Sequence, residues 1–140
     1  MKKYKVIIDT DPSVDDIACL VFALTDKKLD VKLVTTVSGN VRVETSTRNI
    51  LHLLDMFNIN VPVANGEKKA MLRVSPTAED VHSKEGMGGW IPSKTTEHKA
   101  IKESAVEAMY RVLSEGDGDI IPFVFGPHTN MGMLLTRHPD

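Results

Sequence analysis

The chain has 140 residues and a mass of 15.4 kDa, which suits one domain with a sizeable core and excludes two full domains. Apolar residues make up 41% of the chain and charged residues 26%, a composition that excludes a disordered or a fibrous protein. The formal net charge of −2 leaves no basic excess to neutralise phosphates, so we expect no nucleic-acid partner.

Cysteine content and the N-terminal segment give an expected location. Cys19 is the single cysteine, so an internal disulfide is excluded. The basic start of the chain is followed by an apolar run from Val6 to Ile8, which is too short for a signal peptide or a membrane span. We therefore expect a cytoplasmic protein without a membrane partner.

Apolar runs and helical periods alternate along the chain. In order, the predicted elements are a strand at Lys5 to Ile8, a helix from Val14 to Val21, a strand at Val31 to Val37, a helix from Val43 to Leu54, a weaker strand at Val61 to Ala64, a helix from Ile101 to Val112, a strand at Ile120 to Phe125 and a helix from Thr129. Strands that alternate with helices need crossover connections. The pattern therefore predicts an α/β fold, an open and mostly parallel sheet with helices on both faces.

A long segment from Asn65 to Glu97 interrupts this alternation. It contains Pro76, Pro92 and four glycines and shows no sustained period. Its stretch Val81 to Trp90 mixes glycines with side chains that are able to contact a ligand. Since long loops in compact domains are often functional, we expect this stretch to line a site.

Four aspartates lie at the junction of the first strand and the first helix. They are Asp9, Asp11, Asp15 and Asp16, and no Lys or Arg interrupts them. Capping of a helix N-terminus accounts for one or two of them, but not for four. Carboxylates this close repel one another unless a cation neutralises them, and oxygen-only ligands favour Ca²⁺ or Mg²⁺. Because Asp15 and Asp16 are about 100° apart on a helix, we expect one to bind metal and the other a different group.

Polar residues also follow two other predicted strands. Ser38 to Asn40 comes after the second strand, and Gly126 to Asn130 comes after the strand that ends at Phe125. In an open parallel sheet a ligand binds outside the carboxyl ends of the strands. Taken singly these segments are ordinary turns. Together they predict that their polar residues lie beside the aspartates along one edge of the sheet.

These segments resemble a known family, the inosine-uridine preferring nucleoside hydrolases. Asp9 to Asp16 is close to the family's D-x-D-P-G-x-D-D signature. Three further segments follow in the family's order: Thr35 to Asn40, the stretch that contains His82 and Gly86 to Gly89, and Gly126 to Asn130. The resemblance implies a nucleoside hydrolase-like, Rossmann-like domain over residues 1–140, matching an N-terminal half and incomplete at the C-terminus. It also implies a Ca²⁺-dependent N-ribohydrolase of purine and pyrimidine salvage, which cleaves nucleosides to ribose and free base.

The resemblance implies a metal role for three residues. Asp11 is expected to coordinate Ca²⁺ and to act as the general base that takes a proton from water. Asp16 is expected to be a bidentate calcium ligand, and the backbone carbonyl of Phe125 is expected to be a main-chain ligand.

The resemblance implies a substrate role for three more. Asp15 and Asn40 are expected to hold the ribose hydroxyls, and His82 to lie near the base. The chemistry is consistent, because departure of the base leaves positive charge on the ribose and carboxylates stabilise it.

Two departures from the family pattern are visible. Ser13 replaces the signature's glycine, which costs about 1 kcal/mol if the position requires a positive φ. The second half of a family member, with a further aspartate ligand, groups that clamp the ribose and a histidine linked to base departure, has no counterpart here. We therefore expect the chain alone to be a poor catalyst, and we expect it to form homo-oligomers that cover the exposed apolar surface.

Two alternatives stay open on the sequence. In a phosphatase of the haloacid-dehalogenase type, Asp9 would attack phosphorus, Asp11 would act as acid and base, and Mg²⁺ would bridge. Ser13 at the fifth position of that motif argues against it. The other alternative is an inactive truncated fragment that retains some metal binding.

Overall fold

A computed structural model of the chain describes residues 2–72, 77–90, 92 and 95–140. In chain order the elements are β1 (Tyr4–Thr10), α1 (Val14–Thr25), β2 (Leu29–Thr36), α2 (Val43–Phe57), β3 (Val63–Ala64), α3 (Glu79–His82), α4 (Ala105–Glu115), β4 (Ile120–Val124) and α5 (Thr129–Arg137). Strands and helices alternate as the sequence predicts, with the short α3 added inside the predicted loop.

The described strands form one parallel sheet in the order β3-β2-β1-β4. The chain leaves β1 toward β2 on one side and returns to β4 on the other, so the strand order reverses at β1. In the register, Asp9 of β1 lies opposite Thr35 of β2 and Val124 of β4. The carboxyl ends of three strands therefore meet at the point where ligands bind in such sheets.

Helices cover both faces of the sheet. Successive residues of β1 point to opposite faces, so Val6 and Ile8 pack with α1 and α2, whereas Ile7 packs with α4 and α5. This arrangement confirms the predicted α/β fold with two helical layers. None of the described helices has the length and apolar character needed to cross a membrane.

Several predicted boundaries differ from the structure, and two of the differences are explained by backbone contacts. The third predicted helix starts at Ala105 instead of Ile101, because Ile101 donates its N–H to the carbonyl of Val63 at 2.8 Å and stays non-helical. Ser104 then caps α4 by accepting the N–H of Glu107 at 3.4 Å. The weak fourth strand is shorter than predicted, since only Val63–Ala64 pairs with β2.

Candidate functional site

Asp9 is the innermost of the four aspartates. Its side chain is fully buried and accepts hydrogen bonds from Thr35 Oγ1 at 2.6 Å and Asn130 Nδ2 at 2.7 Å. Burial raises its pKa, and the two hydrogen bonds oppose that rise. Asp9 therefore ties β1 to β2 and α5, and as a fully buried group it is poorly placed for the nucleophilic role that the phosphatase alternative requires.

Asp11 lies just beyond the end of β1. Its Oδ2 accepts the backbone N–H of Asn40 at 2.7 Å, and 5% of the residue is exposed. Burial, with the charge of Asp16 as a smaller contribution, raises the pKa of Asp11 to about 6 against the opposing hydrogen bond from Asn40. The carboxylate is thus held in place by the segment that follows β2.

Two glycines leave space for the Asp11 carboxylate. A Cβ added at Gly39 would lie 2.0 Å from Asp11 Oδ2, and one added at Gly126 would lie 2.9 Å from Asp11 Oδ1. Neither distance is compatible with a side chain. Gly39 and Gly126 therefore form a cradle around this carboxylate that a Cβ would fill.

Ser13 connects the other two aspartates. Its φ of −111° is in the extended region, so the position does not require glycine and the expected strain is absent. As N-cap of α1, Ser13 donates Oγ–H to Asp15 Oδ1 at 2.6 Å and lies 3.3 Å from Asp16 Oδ2. Its backbone N–H donates to Asp16 Oδ2 at 3.2 Å, which orients that carboxylate at the helix N-terminus.

Asp15 and Asp16 differ in environment, as their helical spacing predicts. Asp15 is exposed, and its pKa is lowered by the hydrogen bond from Ser13 and further by the charge of His82. Asp16 is half-buried, and burial raises its pKa. The two neighbouring carboxylates are therefore available for two different partners.

The side-chain amide of Asn40 lies between these groups. Its Nδ2 is 3.3 Å from the Asp11 carbonyl oxygen, 3.3 Å from Ser13 Oγ and 3.4 Å from Asp16 Oδ2. The structure thus brings Asp11, Asp16 and Asn40 together, with Asp15 attached through Ser13. These contacts join the ends of β1 and β2 into one polar rim.

The remaining predicted residues border the rim. Phe125 follows β4 and donates its N–H to the carbonyl of Asp9 at 2.8 Å, which places it beside β1. His82 ends α3, and an electrostatic interaction with it contributes to the lowered pKa of Asp15. The roles expected for Phe125 and His82 remain predictions, as do those of the aspartates and Asn40.

Sequence reasoning missed several residues that build the rim. Asn130 was recognised as part of a strand-end segment but not as the partner of Asp9. Ser13 was treated as a defect, although it organises two aspartates. The available signal was a serine followed three residues later by Asp16 at a helix start, because this spacing is the pattern of an N-cap with a capping box.

The donor chemistry of the rim fits part of a site for a hard cation. Asp11 and Asp16 are oxygen donors whose charges repel, and the absence of a Cβ at Gly39 and Gly126 leaves room for the Asp11 carboxylate at the strand ends. In the described part of the chain, no group of three or more His, Cys, Asp or Glu side chains is arranged to hold a metal ion. A cation here would therefore take further oxygens from the main chain, water or substrate.

Comparison with known proteins gives matches over nearly the whole chain. A model of the inosine-uridine preferring nucleoside hydrolase family matches residues 6–140. The non-specific ribonucleoside hydrolase RihC of Klebsiella pneumoniae subsp. pneumoniae is 39% identical over 137 residues, which are 96% of this chain and 44% of RihC. The pyrimidine-specific ribonucleoside hydrolase RihA of Enterobacter sp. is 37% identical, over 96% of this chain and 43% of RihA.

Solved structures agree with the sequence matches. A purine-preferring ribonucleoside hydrolase from Gardnerella vaginalis superposes with a TM-score of 0.89 at 28% identity, over 96% of this chain and 44% of that one. The plant nucleoside hydrolase PpNRh1 superposes with a TM-score of 0.87 at 34% identity, over 97% and 43% of the two chains. The chain thus spans less than half the length of these relatives, which agrees with the expected match to an N-terminal half.

Proposed function

Because the chain belongs to the inosine-uridine preferring nucleoside hydrolase family, we propose that it serves the hydrolysis of the N-glycosidic bond of ribonucleosides to ribose and free base. The observation that carries this proposal is the joining of Asp11, Asp16 and Asn40 at the carboxyl ends of β1 and β2. Family membership does not favour the phosphatase alternative. We also propose a role in nucleoside salvage, because the products are a sugar and a reusable base, and the cytoplasm stays the location expected from the sequence.

The rim is proposed to hold Ca²⁺ through the carboxylates of Asp11 and Asp16 and the main-chain carbonyl of Phe125. Oxygen-only donors support Ca²⁺ over a transition metal. Bound calcium would lower the pKa of a water molecule and hold that water in a fixed position. The Asp11 carboxylate, which the Asn40 N–H orients, would take a proton from the attacking water.

Ribose is proposed to bind beside this centre. The exposure of Asp15 and the position of the Asn40 amide beside Asp16 support this proposal, in which both side chains form hydrogen bonds with ribose hydroxyls. His82 interacts electrostatically with Asp15 and is proposed to face the base. Fixing the sugar in this way aligns its anomeric carbon with the water.

The reaction balances without a covalent enzyme intermediate. The water oxygen forms a bond to the anomeric carbon and gives its proton to Asp11. The bond from that carbon to the base nitrogen breaks, and the electron pair leaves with the base. The base takes up a proton from solvent, and Asp11 returns its own proton to solvent. The negative charge of Asp15 and Asp16 stabilises the positive charge that develops on the ribose.

We further propose that the chain self-associates through an apolar face beside β4. Phe22 is 65% exposed and Phe125 is 47% exposed. Both line a cavity of about 440 Å³ together with Phe123. A second copy of the chain that covers this face would remove the apolar area from water. Sedimentation should show a dimer or larger species that Phe22→Ser converts to monomer, whereas a monomeric wild-type chain would contradict the proposal.

Release of reducing sugar from inosine and uridine tests the proposed reaction. With millimolar calcium, the purified chain should release ribose more slowly than about 1 s⁻¹, an ordinary enzyme rate, and Asp11→Asn should abolish the release. Release that persists in Asp11→Asn would contradict the assigned base. If calcium and inosine bind but no ribose appears, the inactive-fragment alternative holds for this chain. Hydrolysis of p-nitrophenyl phosphate would instead favour a phosphatase.

A further inference from the structure

Two neighbouring residues of α2 hold the loop that carries His82. Arg48 Nη2 lies 2.5 Å from Glu85 Oε2, and Asn49 Nδ2 donates to the carbonyl oxygen of Glu85 at 2.7 Å. Arg48 also donates to Asn49 Oδ1 at 3.1 Å, so the three residues form a closed cluster. Asn49 is fully buried. We name the segment of residues 78–90 the His82 loop.

The same loop rests directly on the polar rim. Ala78 donates its N–H to the carbonyl oxygen of Asn40 at 2.9 Å. Gly86 has a φ of +69°, and a Cβ added there would lie 3.0 Å from Val41 Cγ1 and 3.4 Å from the Pro12 carbonyl oxygen. Residues on both sides of the rim are therefore covered by a loop that α2 anchors from behind.

The backbone at Ser83 has a conformation that needs external support. Its φ of +68° is unfavourable for a residue with a side chain, whereas the glycines that follow, Gly88 and Gly89, adopt positive φ without strain. Such a conformation at Ser83 persists when the surrounding structure fixes it. The contacts to Glu85 supply that restraint, because they lie between Ser83 and the glycines.

We propose that Arg48, Asn49 and Glu85 are a positioning cluster that fixes the His82 loop over the rim and thereby tightens nucleoside binding. The identity of the ligand in this inference rests on the proposed function. The anchoring of the loop does not depend on it. A loop that is ordered before binding costs less conformational entropy when the ligand arrives. Loss of the cluster should therefore weaken binding without removing any group that touches the ligand.

The chain carries its own probe of this loop. Trp90 is the single tryptophan, lies at the end of the loop and is 45% exposed. Its ring meets His52 of α2 edge-on, with ring centroids 6.3 Å apart. Its fluorescence therefore reports whether the loop stays against α2.

Arg48→Met and Glu85→Ala test the anchoring, with Arg42→Met as the matched control at the exposed start of α2. Quenching of Trp90 by acrylamide should increase about twofold in both test variants, because a released loop opens more often. The double variant should behave like either single variant, since the pair acts as a unit. Quenching that stays at the wild-type level in Glu85→Ala, a loop variant that leaves the core intact, would overturn the proposal.

Calorimetry with inosine in calcium buffer tests the consequence for binding. The dissociation constant should rise about tenfold in Arg48→Met and Glu85→Ala but not in Arg42→Met. Increased quenching with unchanged inosine affinity would overturn the positioning role. If the wild-type chain binds no inosine, the proposed function fails, whereas the quenching series still decides whether the cluster anchors the loop.

Discussion

Replacing Asn130 with alanine removes the residue that joins the carboxyl ends of β1 and β2 to α5. Asn130 is fully buried. Its Nδ2 donates to Asp9 Oδ1 at 2.7 Å and to the Thr36 carbonyl oxygen at 2.8 Å, and its Oδ1 accepts the Glu67 N–H at 2.9 Å. In Asn130→Ala these three partner groups stay buried or half-buried but lose their hydrogen bonds to residue 130.

The size of the effect follows from these three bonds. The bond to the Asp9 carboxylate is worth about 1.5–3 kcal/mol, and each neutral bond is worth about 0.5–1.5 kcal/mol. Asn130→Ala should therefore lower the free energy of unfolding by about 2.5–6 kcal/mol, a large share of the total for a domain of this size.

Urea unfolding followed by circular dichroism measures this loss. Asn60→Ala is a matched control, because Asn60 is exposed and the change should stay within about 0.5 kcal/mol. A loss below about 1 kcal/mol for Asn130→Ala, with an unchanged m-value, would refute the reasoning that this side chain holds the strand ends together.

Three further changes test local features. Gly39→Ala places a Cβ 2.0 Å from Asp11 Oδ2, so the carboxylate must move and calcium affinity measured by calorimetry should fall at least tenfold, about 1.4 kcal/mol; unchanged affinity would contradict the cradle. Asn58 ends α2 with a φ of 51°, so Asn58→Val should cost about 1–2 kcal/mol in urea unfolding, and Asn58→Gly should cost little; equal costs would contradict this. Hydrogen bonds from the backbone N–H and ring of His98 lower the pKa of Asp55 from 3.8 to about 2. The stability that this contact contributes is therefore present above pH 3.8 and is lost as the pH falls toward 2. The difference in melting temperature between wild type and Asp55→Asn should therefore shrink over that range, and a constant difference would argue against the contact.

The pattern of elements could be predicted because each strand and helix has the period that its burial requires. Ile7 and Ile8 pack on opposite faces of the sheet, which is why β1 appears in the sequence as a continuous apolar run. The start of α4 was predicted too early, because the apolar Ile101 fits a helical period while its backbone pairs with Val63.

The candidate site could be located but not assembled from the sequence. Strand-end aspartates and Asn40 indicated the rim, since parallel strands expose their carboxyl ends on one edge. The partnership of Asp9 with Asn130 joins residues 121 positions apart, and no local pattern encodes it. The contact between Arg48 and Glu85 joins a helix to a loop without regular period, so spacing gave no signal for it.

Calcium-dependent binding of inosine tests the central claim, which is that the polar rim holds a cation and a ribose together. Calorimetry of the purified chain should show inosine binding in calcium buffer, and the binding should disappear with a chelator or in Asp16→Asn. Asp117→Asn, an exposed aspartate beyond the amino end of β4, should leave it unchanged. Inosine binding of equal affinity with and without calcium, or in Asp16→Asn, would contradict the account.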